Sequence, residues 1–428
     1  MDAFLSRKRR RISAPETEVS PQAQDEDEES TDFKLALLAS LHPELTQDVL
    51  LDALLAGDGK VEAASGSLLG KREESPPKKI PKITGTQTSL AGLVKKVSTS
   101  GDESTIKTLT KRGKTLHLYS PSDIETHTPC SLILNFLPKA DADALLHELL
   151  DEAPTYQRDT FQLFDRTVES PHTMAFYVDS LAEARAQQTE YVYNGSRIAD
   201  VRKTLPQMAA VSIKVREAVN AEINRRITTF YPNGKKLKYQ SPHEWIPNAS
   251  FVNCYDGGAE SVGYHSDQLT YLGPRAVIGS LSLGVAREFR VRQVVPSDDA
   301  AADTQGQVSI HLPHNSLLVM HAEMQETWKH AVAPAAVIEP HPIAGNKRIN
   351  ITYRCYKEAF HPKYTPRCKC GVPTVLRCVQ KKKENRGRYM WMCHAGYTPG
   401  QKGCTFFQWA EFDEDGEPPW AGMVKTEA

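Results

Sequence analysis

The sequence predicts an α+β multidomain protein. Its main part is a double-stranded β-helix (jelly roll) with flanking helices, between a small N-terminal three-helix unit and a small cysteine-rich β unit. Three observations predict this. From Ser250 onward, short alternating apolar runs follow a region of helical periodicity. Residues 31–70 carry leucines at helical spacing. Five of the eight cysteines crowd between Cys368 and Cys404. A chain of 428 residues is also long for one core, and two or three units are expected.

Residues 1–30 are polar, with a basic run from Arg7 to Arg11 and an acidic run from Asp25 to Glu29. Such a segment buries too little apolar surface to fold, so a disordered tail is expected. The basic run resembles a nuclear import signal. In residues 31–70, Leu35, Leu37, Leu38 and Leu41 precede Pro43; Val49, Leu50, Leu51, Leu54 and Leu55 follow. Gly57-Asp58-Gly59 breaks the pattern, and Val61, Ala64, Leu68 and Leu69 resume it. With Leu41-His42-Pro43 and the closing leucine pair, the unit resembles a CUE-type domain, which implies ubiquitin as a partner. Residues 71–125 are rich in Lys, Ser, Thr and Pro, and read as a flexible linker.

Residues 126–362 have the apolar density of a folded domain. Leu132-Ile133-Leu134 reads as a strand, Asp141 to Leu150 as a helix, and Val201 to Arg226 as a second helix. Strands are expected at Phe251 to Tyr255, Val277 to Leu283, Phe289 to Val295, Gln307 to Leu312, Ser316 to Met320 and Ile349 to Tyr353. Residues 363–413 form the cysteine-rich unit, and 414–428 are expected to be a tail. The net charge of −1 shows no overall nucleic-acid footprint. No apolar run reaches the length of a membrane span, and no signal peptide is expected at the start. An intracellular protein with no membrane partner is therefore expected.

The chemistry concentrates in the jelly roll. Alternate side chains of a strand share a face. His265 and Asp267 therefore lie together, with Ser266 turned away. Asn253 and Tyr255 share a face. So do Arg348, Asn350, Thr352 and Arg354, with Ile349, Ile351 and Tyr353 behind them. His-x-Asp plus a remote His is the ligand pattern of a non-haem Fe(II) oxygenase. His330 is preferred as the third ligand for its order before Arg348, with His311, His314, His321 and His341 as competitors. Two arginines on one buried face imply an anionic ligand, since the planar guanidinium grips a carboxylate by both oxygens.

The blocks Asn253-x-Tyr255, Gly263-Tyr264-His265-Ser266-Asp267, Ser280-Leu281-Ser282-Leu283-Gly284, Arg287-x-Phe289, His330 and Arg348-Ile349-Asn350-x-Thr352-x-Arg354 resemble the AlkB family of nucleic-acid demethylases, in its DNA-repair branch. The resemblance covers roughly residues 128–360. It implies Fe(II) on His265, Asp267 and His330, which are then the catalytic centre. It also implies 2-oxoglutarate held by Asn253, Tyr255, Arg348, Asn350 and Arg354, with O2 as the oxidant. The implied reaction couples decarboxylation of 2-oxoglutarate to hydroxylation of an alkyl carbon on a base nitrogen, releasing formaldehyde, succinate and CO2. A base inside a duplex is out of reach, so single-stranded or flipped DNA is the implied partner. DNA-repairing members usually carry an acid just after the metal Asp, whereas Gln268-Leu269 stand here. Tyr191 and Tyr193 fall in the segment resembling the family's nucleotide lid, as candidates for stacking on a base.

Cys368, Cys370, Cys393 and Cys404 supply four thiolates, enough for a closed structural zinc site, with Cys378 and His394 as spares. Cys368-x-Cys370-Gly371, Gly387-Arg388-Tyr389 and Cys404-x-Phe406-Phe407-x-Trp409 resemble a GRF-type zinc finger, so the unit is expected to be a zinc-binding β unit. Arg386, Arg388 and Trp391 are its candidate contacts to single-stranded DNA. The module order resembles fungal proteins. The combined expectation is nuclear repair of 1-methyladenine and 3-methylcytosine lesions. The alternatives are an RNA- or protein-directed dioxygenase of the same fold, or a non-enzymatic adaptor binding ubiquitin and DNA.

Overall fold

The computed structural model describes residues 114–163, 166–180, 192–193, 196–197, 200–296, 306–397 and 401–427, together with 38, 42, 49–50, 53–54 and 61–70. The expected tail (1–30) and most of the expected linker (71–113) lie outside the described residues. So does much of the expected three-helix unit. Within that unit Val61–Gly70 is a helix, and Leu38, Leu50, Leu54 and Ala64 are buried. His42 is also buried, and its Nε2 lies 2.9 Å from Ser65 Oγ.

Two sheets build the main domain. The smaller has five strands, in the order Thr115–Leu118, Gln307–Leu312, Arg287–Gln293, Trp328–Val332 and Val262–His265. The larger runs Cys130–Ile133, Ser316–Met320, Ile278–Gly284, Lys347–Arg354, Ala249–Asp256, Arg166–Val178 and Gln157–Leu163, and Val201–Lys203 joins it beside Arg166–Val178. One core lies between the sheets: Phe289, Val291 and Ile310 of the small sheet pack with Tyr255, Ile278 and Leu318 of the large one. A second core lies behind the large sheet. There Ile349, Ile351 and Tyr353 meet Leu145 and Leu149 of helix Lys139–Glu152 and Val215 and Val219 of helix Pro206–Phe230. Strand alternation thus sends the apolar half of Lys347–Arg354 to the helices and its polar half between the sheets. This layering agrees with a jelly-roll oxygenase core. At the end of Ile278–Gly284, Gly284 takes φ 83°, and a Cβ there would collide with the Lys347 carbonyl oxygen.

Four boundaries differ from expectation. Residues 114–125 belong to the fold and not to the linker. Thr115–Leu118 pairs in parallel with Gln307–Leu312, and Leu118 enters the inter-sheet core. Helix Pro121–His127 follows, with Ser120 Oγ accepting from Asp123 N at 3.1 Å. Two alternating leucines among polar residues are too short a signal to separate from a linker. The second long helix begins at Pro206, not Val201: proline suits the first helical position, and Leu205 before it is held extended at φ −75°, ψ 161°. A hairpin of Gln157–Leu163 with Arg166–Val178 was not foreseen. Residues 414–427 of the expected tail belong to the fold, because Ala421–Glu427 is a helix and Trp420 Nε1 donates to Ala359 O at 2.7 Å.

His321 links the fold to pH. It is buried, with Nε2 2.6 Å from Ser131 Oγ. Burial pushes its pKa from 6.5 down to about 3, and Arg226 and Arg225 push the same way. The unfolded chain therefore binds a proton near pH 6.5 that the folded chain refuses until about 3. The stability from keeping this ring neutral is present above pH 6.5 and is lost as pH falls from there toward 3. Thermal melting should drop through that window, and His321→Gln should flatten the drop.

Candidate active site

Antiparallel pairing places His330 directly opposite His265, on neighbouring strands of the small sheet. Asp267 follows two residues after His265, on the same side. His265 Nε2 is 3.6 Å, and His330 Nε2 3.3 Å, from Asp267 Oδ1. The His265 Nδ1–H donates to Gly263 O at 2.8 Å, which leaves Nε2 with its lone pair toward the cluster. Asp267 and His330 are buried, whereas 39% of the His265 side chain is exposed. The cluster is therefore closed behind and open in front. Burial by itself would raise the Asp267 pKa; Arg354, then His330 and His265, hold it well below the usual carboxylate range. Arg354 reaches across from the large sheet, its Nη2 2.7 Å from Asp267 Oδ2.

Deeper between the sheets, Asn253 and Tyr255 pair with Asn350 and Arg348 on the adjacent strand. Arg348 is 1% exposed; its Nη2 donates to Ser282 Oγ at 2.9 Å and to Asn350 Oδ1 at 3.1 Å. Its Nε and Nη1 have no hydrogen-bond partner, and no carboxylate pairs with it among the described residues. The guanidinium sits 5.3 Å from the Tyr255 ring centroid, and Arg287 lies 5.8 Å from the same ring. Burial lowers the Arg348 pKa to about 10, against the pull of Tyr255. A buried cation with two idle donors is the state that a carboxylate would relieve.

Sequence reasoning missed three contributors. Ser282 hydrogen-bonds Arg348, as above. His172, on the unforeseen hairpin, stacks on Tyr255 at 4.7 Å, and burial lowers its pKa to about 4. Gln325 accepts from Asp267 N at 2.7 Å through Oε1. The serine was visible in the quoted Ser280–Gly284 block, but nothing in the chain announced the other two. The competing histidines lie elsewhere. His311 joins His117 and Glu288 on three adjacent strands, with its Nε2 2.9 Å from His117 Nδ1. That group is self-satisfied, because Arg290 and Ser309 already bond Glu288. His314 neighbours His341 at 4.5 Å. Gln268 is half-buried beside Asp267. Tyr191 lies outside the described residues, and Tyr193 is described only as backbone of the short strand Val192–Tyr193.

In the C-terminal unit, the ligand sulfurs of Cys368, Cys370, Cys393 and Cys404 lie within 4.8 Å of one another. Cys378 and His394 are not in this group. Its strands Val375–Cys378, Tyr389–Met392 and Phe407–Trp409 form one antiparallel sheet. Cys393 Sγ accepts from the backbone N–H groups of Ala395 and Cys404, each at 3.4 Å. Two expectations for nucleic-acid contact change. Trp391 is 1% exposed and packs against Phe360 and Trp420, so its ring cannot stack on a base; a unit this small needs its indole as core. Arg386 Nη2 donates to Val294 O at 2.5 Å and so docks the unit on the main domain. Arg388 does lie at the surface, 3.7 Å from the Trp409 ring centroid, beside Phe407, which is 49% exposed.

Comparison with known proteins agrees with this geometry. The model of the 2OG-Fe(II) oxygenase superfamily matches residues 129–354. The chain belongs to the 2OG-Fe(II) oxygenase superfamily. The GRF zinc finger model matches residues 366–413. Alpha-ketoglutarate-dependent dioxygenase alkB homolog 3 of Rattus norvegicus is 26% identical over 220 residues, 51% of this chain and 61% of that protein. DNA oxidative demethylase ALKBH2 of Homo sapiens is 24% identical over 303 residues, 69% of this chain and 95% of that protein. The ALKBH2 of Arabidopsis thaliana is 30% identical over 122 residues, 25% of this chain and 37% of that protein. The chain thus spans about six-tenths of the alkB homolog 3 relative.

The residues of this 2OG-Fe(II) oxygenase fit the groups its superfamily name implies. Two imidazoles and one carboxylate suit Fe(II), and the idle donors of Arg348 suit a carboxylate. Four clustered thiols suit tetrahedral zinc. No helix among the described residues is long and apolar enough to cross a membrane. Trp391→Ala should destabilise the protein by about 3–5 kcal/mol, as truncation of a large buried aromatic does. Chemical denaturation checks this. Phe407→Ala should leave the midpoint nearly unchanged.

Proposed function

We propose that this chain oxidatively demethylates N-alkylated bases in DNA, of the 1-methyladenine and 3-methylcytosine type, releasing formaldehyde, succinate and CO2. The observation that carries this reading is the half-open His265, Asp267 and His330 cluster beside the unpaired donors of Arg348. His265, Asp267 and His330 would hold the iron. Bound iron, 2-oxoglutarate and O2 supply the oxidising chemistry. Arg348 would hold the distal carboxylate of 2-oxoglutarate, with Tyr255, Asn253 and Asn350 shaping its pocket. Arg354 orients Asp267 and neutralises charge beside it. The exposed side of His265 would face a base turned out of its stack, and Gln268, next to Asp267 in the chain, would read that base as a neutral group.

The four cysteines of the GRF unit would hold zinc, and its exposed Arg388 and Phe407 offer charge and a ring to single-stranded DNA. The relatives' names, which include DNA oxidative demethylases, support DNA as the substrate. The basic run at Arg7 to Arg11 supports a nuclear location, and residues 31–70 support a ubiquitin contact.

Formaldehyde should be released from single-stranded oligonucleotides carrying either methylated base, with Fe(II), 2-oxoglutarate and ascorbate present. His265→Ala should abolish release. Succinate formation without formaldehyde would mean an intact oxygenase with another substrate. Arg348→Met should weaken 2-oxoglutarate binding by about 30-fold or more, since losing a buried charged partner costs roughly 2–5 kcal/mol. Calorimetry with Mn(II) in place of iron measures this without turnover.

A further inference from the structure

The zinc unit touches the main domain where the metal ligands are mounted. Gln380 lies just beyond strand Val375–Cys378. Its Nε2 donates to Gln325 O at 2.8 Å and to Ser266 Oγ at 3.1 Å. Ser266 is the middle residue of His265-Ser266-Asp267 and follows directly on strand Val262–His265. Ser266 Oγ in turn donates to Trp328 O at 3.1 Å, on the strand that carries His330. Gln325 accepts from Asp267 N at 2.7 Å. One amide of the zinc unit therefore meets the His265-Ser266-Asp267 segment directly at Ser266, reaches Asp267 N through Gln325, and reaches the strand of His330 through Ser266.

The surrounding contacts hold that amide in place. Glu326, beside Gln325, is 1% exposed, and its Oε1 accepts from Tyr389 OH of the zinc unit and from Arg275 N, both at 2.8 Å. Arg386 anchors one flank on Val294 O, and Trp391 packs on Phe360 at the other. Leu376, Tyr389 and Trp391 belong to the same apolar cluster as Phe289 and Tyr255 of the main domain. Apolar burial does not specify direction, whereas hydrogen bonds do. The packing thus seats the unit, and Gln380 sets the position of the ligand loop.

We infer that the zinc unit is a structural part of the iron site, and that Gln380 is a positioning residue that holds Ser266 and Gln325 so that Asp267 and His265 face the metal. This rests on the reading of His265, Asp267 and His330 as the iron ligands. Groups behind metal ligands commonly change metal affinity by about 10–100-fold when removed.

The test is Mn(II) titration of the full-length zinc-loaded protein, with free Mn(II) counted by electron paramagnetic resonance. Gln380→Ala should weaken Mn(II) binding by about tenfold or more, at unchanged zinc content. Gln380→Glu keeps the shape but lacks the N–H donors, and should reproduce the loss. Ser266→Ala removes the acceptor from the other side. Its effect should not add to that of Gln380→Ala if the two form one linkage. This variant also keeps the test decisive if Gln380→Ala loses zinc. Glu384→Ala, on the exposed face of the zinc unit, should bind Mn(II) as wild type does. Wild-type affinity in Gln380→Ala and Ser266→Ala, with Mn(II) lost in His265→Ala, would overturn the linkage and leave the iron site standing. Retained affinity in His265→Ala would overturn the iron-site reading itself.

Discussion

A buried carboxylate between two sheets sets the terms for the rest of this molecule. Asp267 is held from the small sheet's side by His265 and His330, and from the large sheet by Arg354 at 2.7 Å. Removing one partner of such a pair typically costs about 3–5 kcal/mol, because the other charge is left stranded. The two sheets must therefore meet at a fixed separation and register. The apolar residues between them, from Phe289 to Leu318, supply the burial that holds that separation. The helices behind the large sheet bury Ile349, Ile351 and Tyr353 and thereby leave Arg348, Asn350 and Arg354 facing inward.

The same polar interior is unfinished. Arg348 is buried deeper than Arg354, yet two of its nitrogens make no bond. The two arginines differ in their partners: Arg354 pairs with Asp267, whereas Arg348 donates to Ser282 and Asn350. His172 and Tyr255 stack beside it, and burial keeps the histidine neutral, so it adds no third cation to the pocket.

The zinc unit extends this interior. A three-stranded sheet with four clustered cysteines is small for a self-sufficient core. Its largest buried side chain, Trp391, is completed by Phe360 and by Trp420 from the C-terminal segment. The segment following the unit thus packs on it through Trp420 and also joins the main domain, with Tyr239 N donating to Glu414 O at 3.1 Å. What reads along the chain as a catalytic domain, a finger and a tail is one packed body across this seam.

Local pattern alone determined much of this. Period-two alternation separated Arg348, Asn350 and Arg354 from Ile349 and Ile351, because a strand has no other way to direct its side chains; strand Val262–His265 ends before Asp267, so the approach of Asp267 to His265 belongs to the segment after the strand. The clustering of Cys368, Cys370, Cys393 and Cys404 and the order of the polar blocks were also legible, as ligand chemistry restricts residue type. Tertiary structure decided what depends on partners distant in the chain. Only strand pairing set His330, rather than His311, His314, His321 or His341, opposite His265. Only packing moved Trp391 and Arg386 from a surface role to core and anchor, and gathered residues 114–125 and 414–427 into the fold. A side chain's type and spacing state what it can bind; its burial and its neighbours, set by long-range contacts, decide whether it is free to do so.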